Sequence, residues 1–316
     1  IGSSPGGNNL FTSETQATSL TVTGLPADGR TLYVKISAFS GGAFAVTATA
    51  TYAAYRAVPL RFVPITPCRV METRAPYNFE GRSGAFGPPT LTAGEVRTLN
   101  LPQSNVCAIP ATAKAYVVNI TAIPNGGGLS YATVWPAGDA QPNVWTIRSP
   151  DGQIVANSAI VQAGTNGGIS VFTSDRTDLL IDISGYYTDS TAVPGLSYYP
   201  LTPCRVIDTR LQYRPIGGNY GPPSMTARET RRFRFPATTY CNVPLASAYS
   251  VTLTVVPPAA LAYLTAWPGS GVPQPNVSSI NSFAGRILAN SLIIPASADG
   301  SIDIFAFDTT DFIVDI

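Results

Sequence analysis

The feature that most constrains this chain is that it repeats itself. Thr66-Pro-Cys-Arg-Val70 recurs as Thr202-Pro-Cys-Arg-Val206, and Gly87-Pro-Pro89 recurs as Gly221-Pro-Pro223. Cys107 returns as Cys241, Gln141-Pro-Asn-Val144 as Gln274-Pro-Asn-Val277, and Ala156-Asn-Ser158 as Ala289-Asn-Ser291. The offset drifts from 136 at the first string to 133 at the last, so small insertions fall in the early loops and the later segments keep register. Self-similarity of this kind marks a duplicated domain. The division is residues 1–56, a first copy at 57–190 and a second at 191–316, with a Thr/Ser/Pro/Gly-rich stretch from Thr188 to Ser197 between the copies.

Within each copy, apolar residues alternate with period two, the signature of half-buried strands. Tyr116, Val118, Ile120 and Ala122 form one such face, repeated by Tyr249, Val251, Leu253 and Val255. Leu179, Ile181 and Ile183 form another, repeated by Phe312, Val314 and Ile316. Asn166-Gly167 and its counterpart Asp299-Gly300 both favour a type I′ hairpin turn. No stretch carries a helical stripe, and the class is all-β: tandem antiparallel, sandwich-like domains. In residues 1–56, Ser19–Leu25, Thr31–Phe39 and Phe44–Tyr52 read as three strands. Three short strands hold too little core to stand alone, so they are expected to pack on the copies, continue a sheet or pair with another chain.

Both ends read as cut. The chain starts at Ile1, and the second copy stops at Ile316, the equivalent of Ile183, where the first continues Ser184-Gly185-Tyr186-Tyr187. The expectation is a processed or truncated polypeptide, or one whose last strand a neighbour completes.

Four cysteines allow three pairings in principle. Only Cys68 with Cys107 and Cys204 with Cys241 preserve the repeat, and disulfides of this kind persist outside the reducing cytosol. The expected location is extracellular or at the cell surface. A zinc site fits poorly, because there is no Cys-x-x-Cys and no His anywhere in the chain.

The missing His also removes the usual general base and the partner of a Ser or Cys nucleophile. Charged residues make up 12% of the chain, against roughly 25% in an average soluble domain. Such a surface is coated in neutral polar groups, glycosylated, or covered by neighbours. A formal net charge of +1 lacks the basic footprint of a nucleic-acid binder. No apolar run reaches the ~18 to 20 residues of a membrane-spanning helix.

Carboxylate pairs are the remaining route to catalysis. The matched acids are Glu72/Asp208, Glu95/Glu229, Asp175/Asp308, Asp178/Asp311 and Asp182/Asp315. Their presence in both copies points to folding roles, and no catalytic residue or cofactor is assigned. Glu72 and Asp208 each stand two residues before an Arg and are expected to form an internal ion pair or turn clamp. Asp175, Asp178, Asp308 and Asp311 offer oxygens that would suit Ca²⁺, although an Asx-type turn is the favoured role. Trp135 and Trp267 are duplicated and read as core. Trp145 has Ser278 as its counterpart, and with Gln141 and Asn143 it forms the candidate ligand contact. Asn119-Ile-Thr121 and Asn276-Val-Ser278 fit the N-glycosylation pattern.

Phe62-Val-Pro-Ile-Thr-Pro-Cys-Arg-Val70, Glu72-Thr-Arg74, Gly87-Pro-Pro89, Trp135-Pro136 and Asp182-Ile-Ser-Gly-Tyr-Tyr187 together resemble a repeated β-rich domain. That domain occurs in secreted and surface proteins of actinobacteria and acidobacteria. Thr18–Val34 is similar to the late strands of an Ig-like module of bacterial extracellular proteins. These resemblances imply an extracellular setting and no catalytic residue. The expected function is therefore structural: an extracellular protein, not an enzyme, that self-assembles into a filament or surface layer through β-domain contacts or strand exchange. The alternative is a carbohydrate-binding or adhesion module. The expected partners are further copies of the chain or a cell-surface glycan.

Overall fold

The computed structural model describes residues 1–26, 28–54, 59–212 and 216–316. It divides into two units, Ile1–Pro59 and Leu60–Ile316. The expected boundary at 56/57 lies among residues 55–58, outside the described residues.

The first unit contains one antiparallel ribbon, β1 (Thr31–Ser40) with β2 (Ala43–Ala53). Gly41-Gly42 joins the strands with φ of 62° and 84°, the left-handed pair that a two-residue hairpin needs. Phe39 and Phe44 face each other across the turn, ring centroids 4.9 Å apart. The third expected strand, Ser19–Leu25, does not form. Its alternation is real, but a strand exists only in a ladder, and these residues have none.

The second unit holds both copies. Copy 1 runs β3 (Arg61–Glu72), β4 (Val96–Asn100), β5 (Ala115–Pro124), β6 (Leu129–Pro136), β7 (Ile147–Ser149), β8 (Val155–Gln162), β9 (Gly168–Thr173) and β10 (Thr177–Thr188). Copy 2 runs β11 (Arg205–Asp208), β12 (Glu229–Arg234), β13 (Ala248–Val256), β14 (Leu261–Pro268), β15 (Ile280–Ser282), β16 (Leu288–Pro295), β17 (Ser301–Ala306) and β18 (Asp311–Asp315). Copy 1 forms two antiparallel sheets, β3-β10-β5-β8 and β4-β9-β6-β7. Copy 2 repeats the order as β11-β18-β13-β16 and β12-β17-β14-β15. There is no α-helix among the described residues.

Each pair of sheets closes on one apolar core, as alternating strands require. In copy 1 the two sheets contribute Met71, Tyr116, Ile120 and Leu179 from one side and Leu99, Leu129 and Ile169 from the other. Copy 2 keeps the layout and changes the filling: Leu99, Leu101 and Leu179 become Phe233, Phe235 and Phe312, all fully buried. Cys68–Cys107 and Cys204–Cys241 are disulfides with Cα atoms 5.9 Å apart in each copy. They tie Cys68 of β3, and Cys204 just before β11, to the loop after the second strand of each copy. Trp135 and Trp267 are buried, and their indole N–H groups donate to Asp139 O and Val272 O at 3.1 and 2.9 Å.

The two hairpin dipeptides do not make the same turn. Asn166 and Gly167 are both left-handed, with φ of 56° and 72°. In copy 2 only Gly300 is (φ 76°). Asp299 instead receives the N–H and hydroxyl of Ser301 at 3.1 and 2.8 Å. A carboxylate that can satisfy its neighbour's backbone holds the turn by another route.

In copy 1, Gly185–Thr188 of β10 pair with Arg61–Pro64, and Gly185–Tyr187 with Ala115–Val117. In copy 2, β18 meets β13 only over Thr252–Val256. Phe62 is buried, whereas its counterpart Tyr198 is exposed.

Candidate functional site

The matched acids are committed to structure. Glu72 is fully buried and accepts from Arg74 Nε and Nη2 at 2.8 and 2.7 Å, and from Arg69 Nη1 at 3.0 Å. Arg69 turns its Nε to Asp182 Oδ1 at 2.8 Å. Copy 2 repeats the chain of charges as Arg210–Asp208–Arg205–Asp315. At Asp208 burial opposes ionisation, but the hydrogen bonds and charge of Arg210 outweigh it and hold the carboxyl below the usual value. Glu95 and Glu229 each receive a threonine backbone N–H, from Thr92 and Thr226, and pair with Arg97 and Arg231.

The four aspartates considered for Ca²⁺ serve separate partners. Asp175 and Asp308 receive the backbone N–H of Ser130 and Ala262, both at 2.8 Å. Asp178 accepts from the Thr73 hydroxyl and the Asn125 amide, and Asp311 from the Thr209 hydroxyl. No three His, Cys, Asp or Glu side chains converge on one point among the described residues.

Trp145 stands on a pinned backbone between β6 and β7. The Thr133 hydroxyl donates to Val144 O at 2.6 Å, Thr146 N to Ala132 O at 2.9 Å, and Val134 N to Thr146 Oγ1 at 3.0 Å. The side chain between those anchors points outward, 60% exposed. The Arg148 guanidinium lies 4.2 Å from its ring centroid, and the Tyr131 ring is 6.5 Å away. Gln141 and Asn143 are exposed on the same loop, and neither makes a hydrogen bond to the indole.

Copy 2 builds the same scaffold with the same bonds: Thr265 Oγ1 to Val277 O, Ser279 N to Leu264 O, and Ala266 N to Ser279 Oγ. Here, however, Ser278 is 7% exposed, because copy 1 covers it. Ser278 N donates to Asp182 Oδ2 at 3.0 Å, and Asn119 Nδ2 donates to Ser278 O at 2.5 Å. Asn290 Nδ2 donates to Asn119 Oδ1 at 2.8 Å, and Ser158 N to Asn290 Oδ1 at 2.9 Å. The cleft left between these residues is about 30 Å³, room for roughly one water. At the rim Arg286 pairs with Asp151, both well exposed.

This joint buries different surfaces of the two copies. Copy 1 uses the outer face of its β3-β10-β5-β8 sheet: Pro67, Arg69, Val117, Asn119 and Asp182 are buried. Their counterparts Pro203, Arg205 and Ser250 are exposed, and Thr252 and Asp315 are half-buried. Copy 2 uses β14 to β16 and the loop before β15: Val277, Ser278, Asn281, Asn290 and Pro295 are buried. Their counterparts Val144, Trp145, Arg148, Asn157 and Gln162 are exposed.

Residues of this joint escaped the sequence reading. Asn119 looks like a glycan acceptor, yet its amide is buried and fully engaged. The available signal lay in the mismatches between copies. In Val117/Ser250, Asn119/Thr252 and Trp145/Ser278, one member of each pair is buried at the joint and the other is exposed or half-buried. Compared with protein-family models, curated proteins and solved structures, the chain matches none. What the fold defines is a class: a duplicated, disulfide-stapled, all-β protein whose two copies share one polar joint. The resemblance to secreted bacterial repeat domains rests on its motif residues alone.

Proposed function

We propose that this chain is an extracellular structural protein, not an enzyme, that assembles with further copies of itself into a filament or surface layer. The observation that carries this reading is the β1–β2 ribbon. Every residue of β2 is exposed, and Ile36, Phe39, Phe44, Val46 and Tyr52 are each 57 to 63% exposed. A two-stranded ribbon is marginal in water, and a long apolar edge is a template for another chain. A sheet of this kind is stabilised when a neighbour pairs with it or covers it. Low charge density and two structural disulfides are consistent with a subunit built for an oxidising exterior. No helix among the described residues is long and apolar enough to cross a membrane.

Sedimentation velocity of the oxidised full chain across a concentration series tests the reading. Mass that grows with concentration is the expected result; a monomer at every concentration contradicts it. The exposed indole at Trp145, stacked by Arg148, supports a second reading as a carbohydrate-binding or adhesion module. That reading requires retention on a glycan surface, lost in Trp145→Ala.

A further inference from the structure

We propose that chains join head to tail by repeating the joint between the two copies, the free face of copy 2 receiving the free face of copy 1 from the next chain. This rests on the self-assembly reading and names an interface for it other than the β1–β2 ribbon. The joint is heterologous: one copy contributes its β3-β10-β5-β8 sheet, the other its β14 to β16 surface. Within residues 60–316 the contact is made once, which leaves one surface of each kind open. The open receiving face carries Arg205, Ser250, Thr252 and Asp315. The open inserting face carries Val144, Trp145, Asn157 and Ile160, with Val144 and Ile160 55% and 59% exposed.

The unused faces keep part of what holds the intrachain joint. Arg205 Nε pairs with Asp315 Oδ1 at 2.8 Å, as Arg69 pairs with Asp182. Asp182 receives the backbone N–H of Ser278, a donor that any residue at that position supplies, so Asp315 is set to receive the N–H of Trp145. Side chains change on both faces. The inserting face replaces Ser278 with the large Trp145. The receiving face replaces Val117 with the smaller Ser250 and Asn119 with Thr252. Two sets of contacts are not reproduced: Asn119, which donates to Ser278 O and accepts from Asn290, becomes Thr252, and Asp151–Arg286 would become Ala284 with Gln153. An exposed pair of that kind is worth ~1 kcal/mol or less. Heterologous contacts close into rings or run on as open filaments, depending on the rotation between subunits.

The test uses two full-length variants, Trp145→Asp on the inserting face and Ser250→Arg/Thr252→Arg on the receiving face. Near-wild-type melting of each shows that the fold is kept. Each variant alone is expected to sediment as a monomer under conditions where the wild type grows. An equimolar mixture is expected to give a dimer, twice the monomer mass, because each chain retains one good face. Variants that still polymerise overturn the proposed interface while leaving self-assembly standing. A mixture that stays monomeric overturns the head-to-tail pairing. A wild type that never grows overturns both readings.

Discussion

Asn119 and Asn290 meet across the joint between the two copies, the Asn290 amide donating to Asn119 Oδ1 at 2.8 Å while Asn119 donates to Ser278 O. Each amide is spent on a group that has no access to water. Asn119→Ala therefore strands the buried Ser278 carbonyl and removes one of the two acceptors of the Asn290 amide, at about 1–3 kcal/mol. Because both copies lie in one compact unit, calorimetry of the wild type should show them unfolding together. In Asn119→Ala the transition should broaden or split as the copies uncouple. Thr252→Ala, at the equivalent position of copy 2, should change little.

The two charge chains predict a second asymmetry. Arg69 and Asp182 are 6% and 4% exposed, whereas Arg205 and Asp315 are 42% and 38% exposed. Breaking a buried pair leaves an uncompensated charge, so Asp182→Ala should cost about 3–5 kcal/mol. Asp315→Ala should cost ~1 kcal/mol or less. Chemical denaturation of both variants, compared with the wild type, measures the difference.

Each disulfide closes a loop of similar length, with separations of 39 and 37 residues. Opening either one by a double Cys→Ser substitution should cost about 4 kcal/mol in the chain-entropy model. The two losses should be alike. A large inequality would show that strain or residual structure, rather than loop closure, sets the contribution.

The absence of His leaves no side chain with an ordinary pKa near neutrality. Stability should be flat from about pH 5 to 9. On the acid side, the N–H of Ser130 holds Asp175 below its usual value. Glu95, Asp208 and Glu229 are also held low, where arginine pairing and hydrogen bonds outweigh burial. Carboxyls lowered in the fold add stability above their unfolded pKa and lose it as pH falls through the folded value. Melting temperature should therefore drop below about pH 4.

On the alkaline side, burial pushes the Tyr116 hydroxyl up to about 12, and that hydroxyl donates to Gly167 O at 2.8 Å. A group raised in the fold contributes stability below its unfolded value, near 10, that is lost as pH rises through the folded one. The loss should be on the order of 2–3 kcal/mol between pH 10 and 12. Tyr116→Phe, less stable at pH 8 for want of the hydrogen bond, should show a flatter alkaline limb.

The duplication, the alternating strands and the disulfide pairing were legible because each is written as local pattern or as repetition. Ser19–Leu25 misled because alternation describes a face, not the neighbour a strand requires. Asp299-Gly300 misled because a carboxylate can hold a turn without a left-handed backbone. The joint was illegible for a different reason. Val117, Asn119 and Thr121 lie on the face of β5 that its own sandwich leaves bare, so in isolation they read as a solvent face. Only the arrival of copy 2 buries them, and nothing within copy 1 announces it. The exposed Trp145 was legible as an anomaly, since its counterpart is Ser278, but its meaning came from seeing what covers Ser278.

Electron microscopy of the oxidised full chain at high concentration tests the central claim most directly. Ordered filaments, rings or sheets, with subunits following one another through the receiving face of copy 2 and the inserting face of copy 1, are the predicted result. Dispersed single particles at every concentration would contradict it.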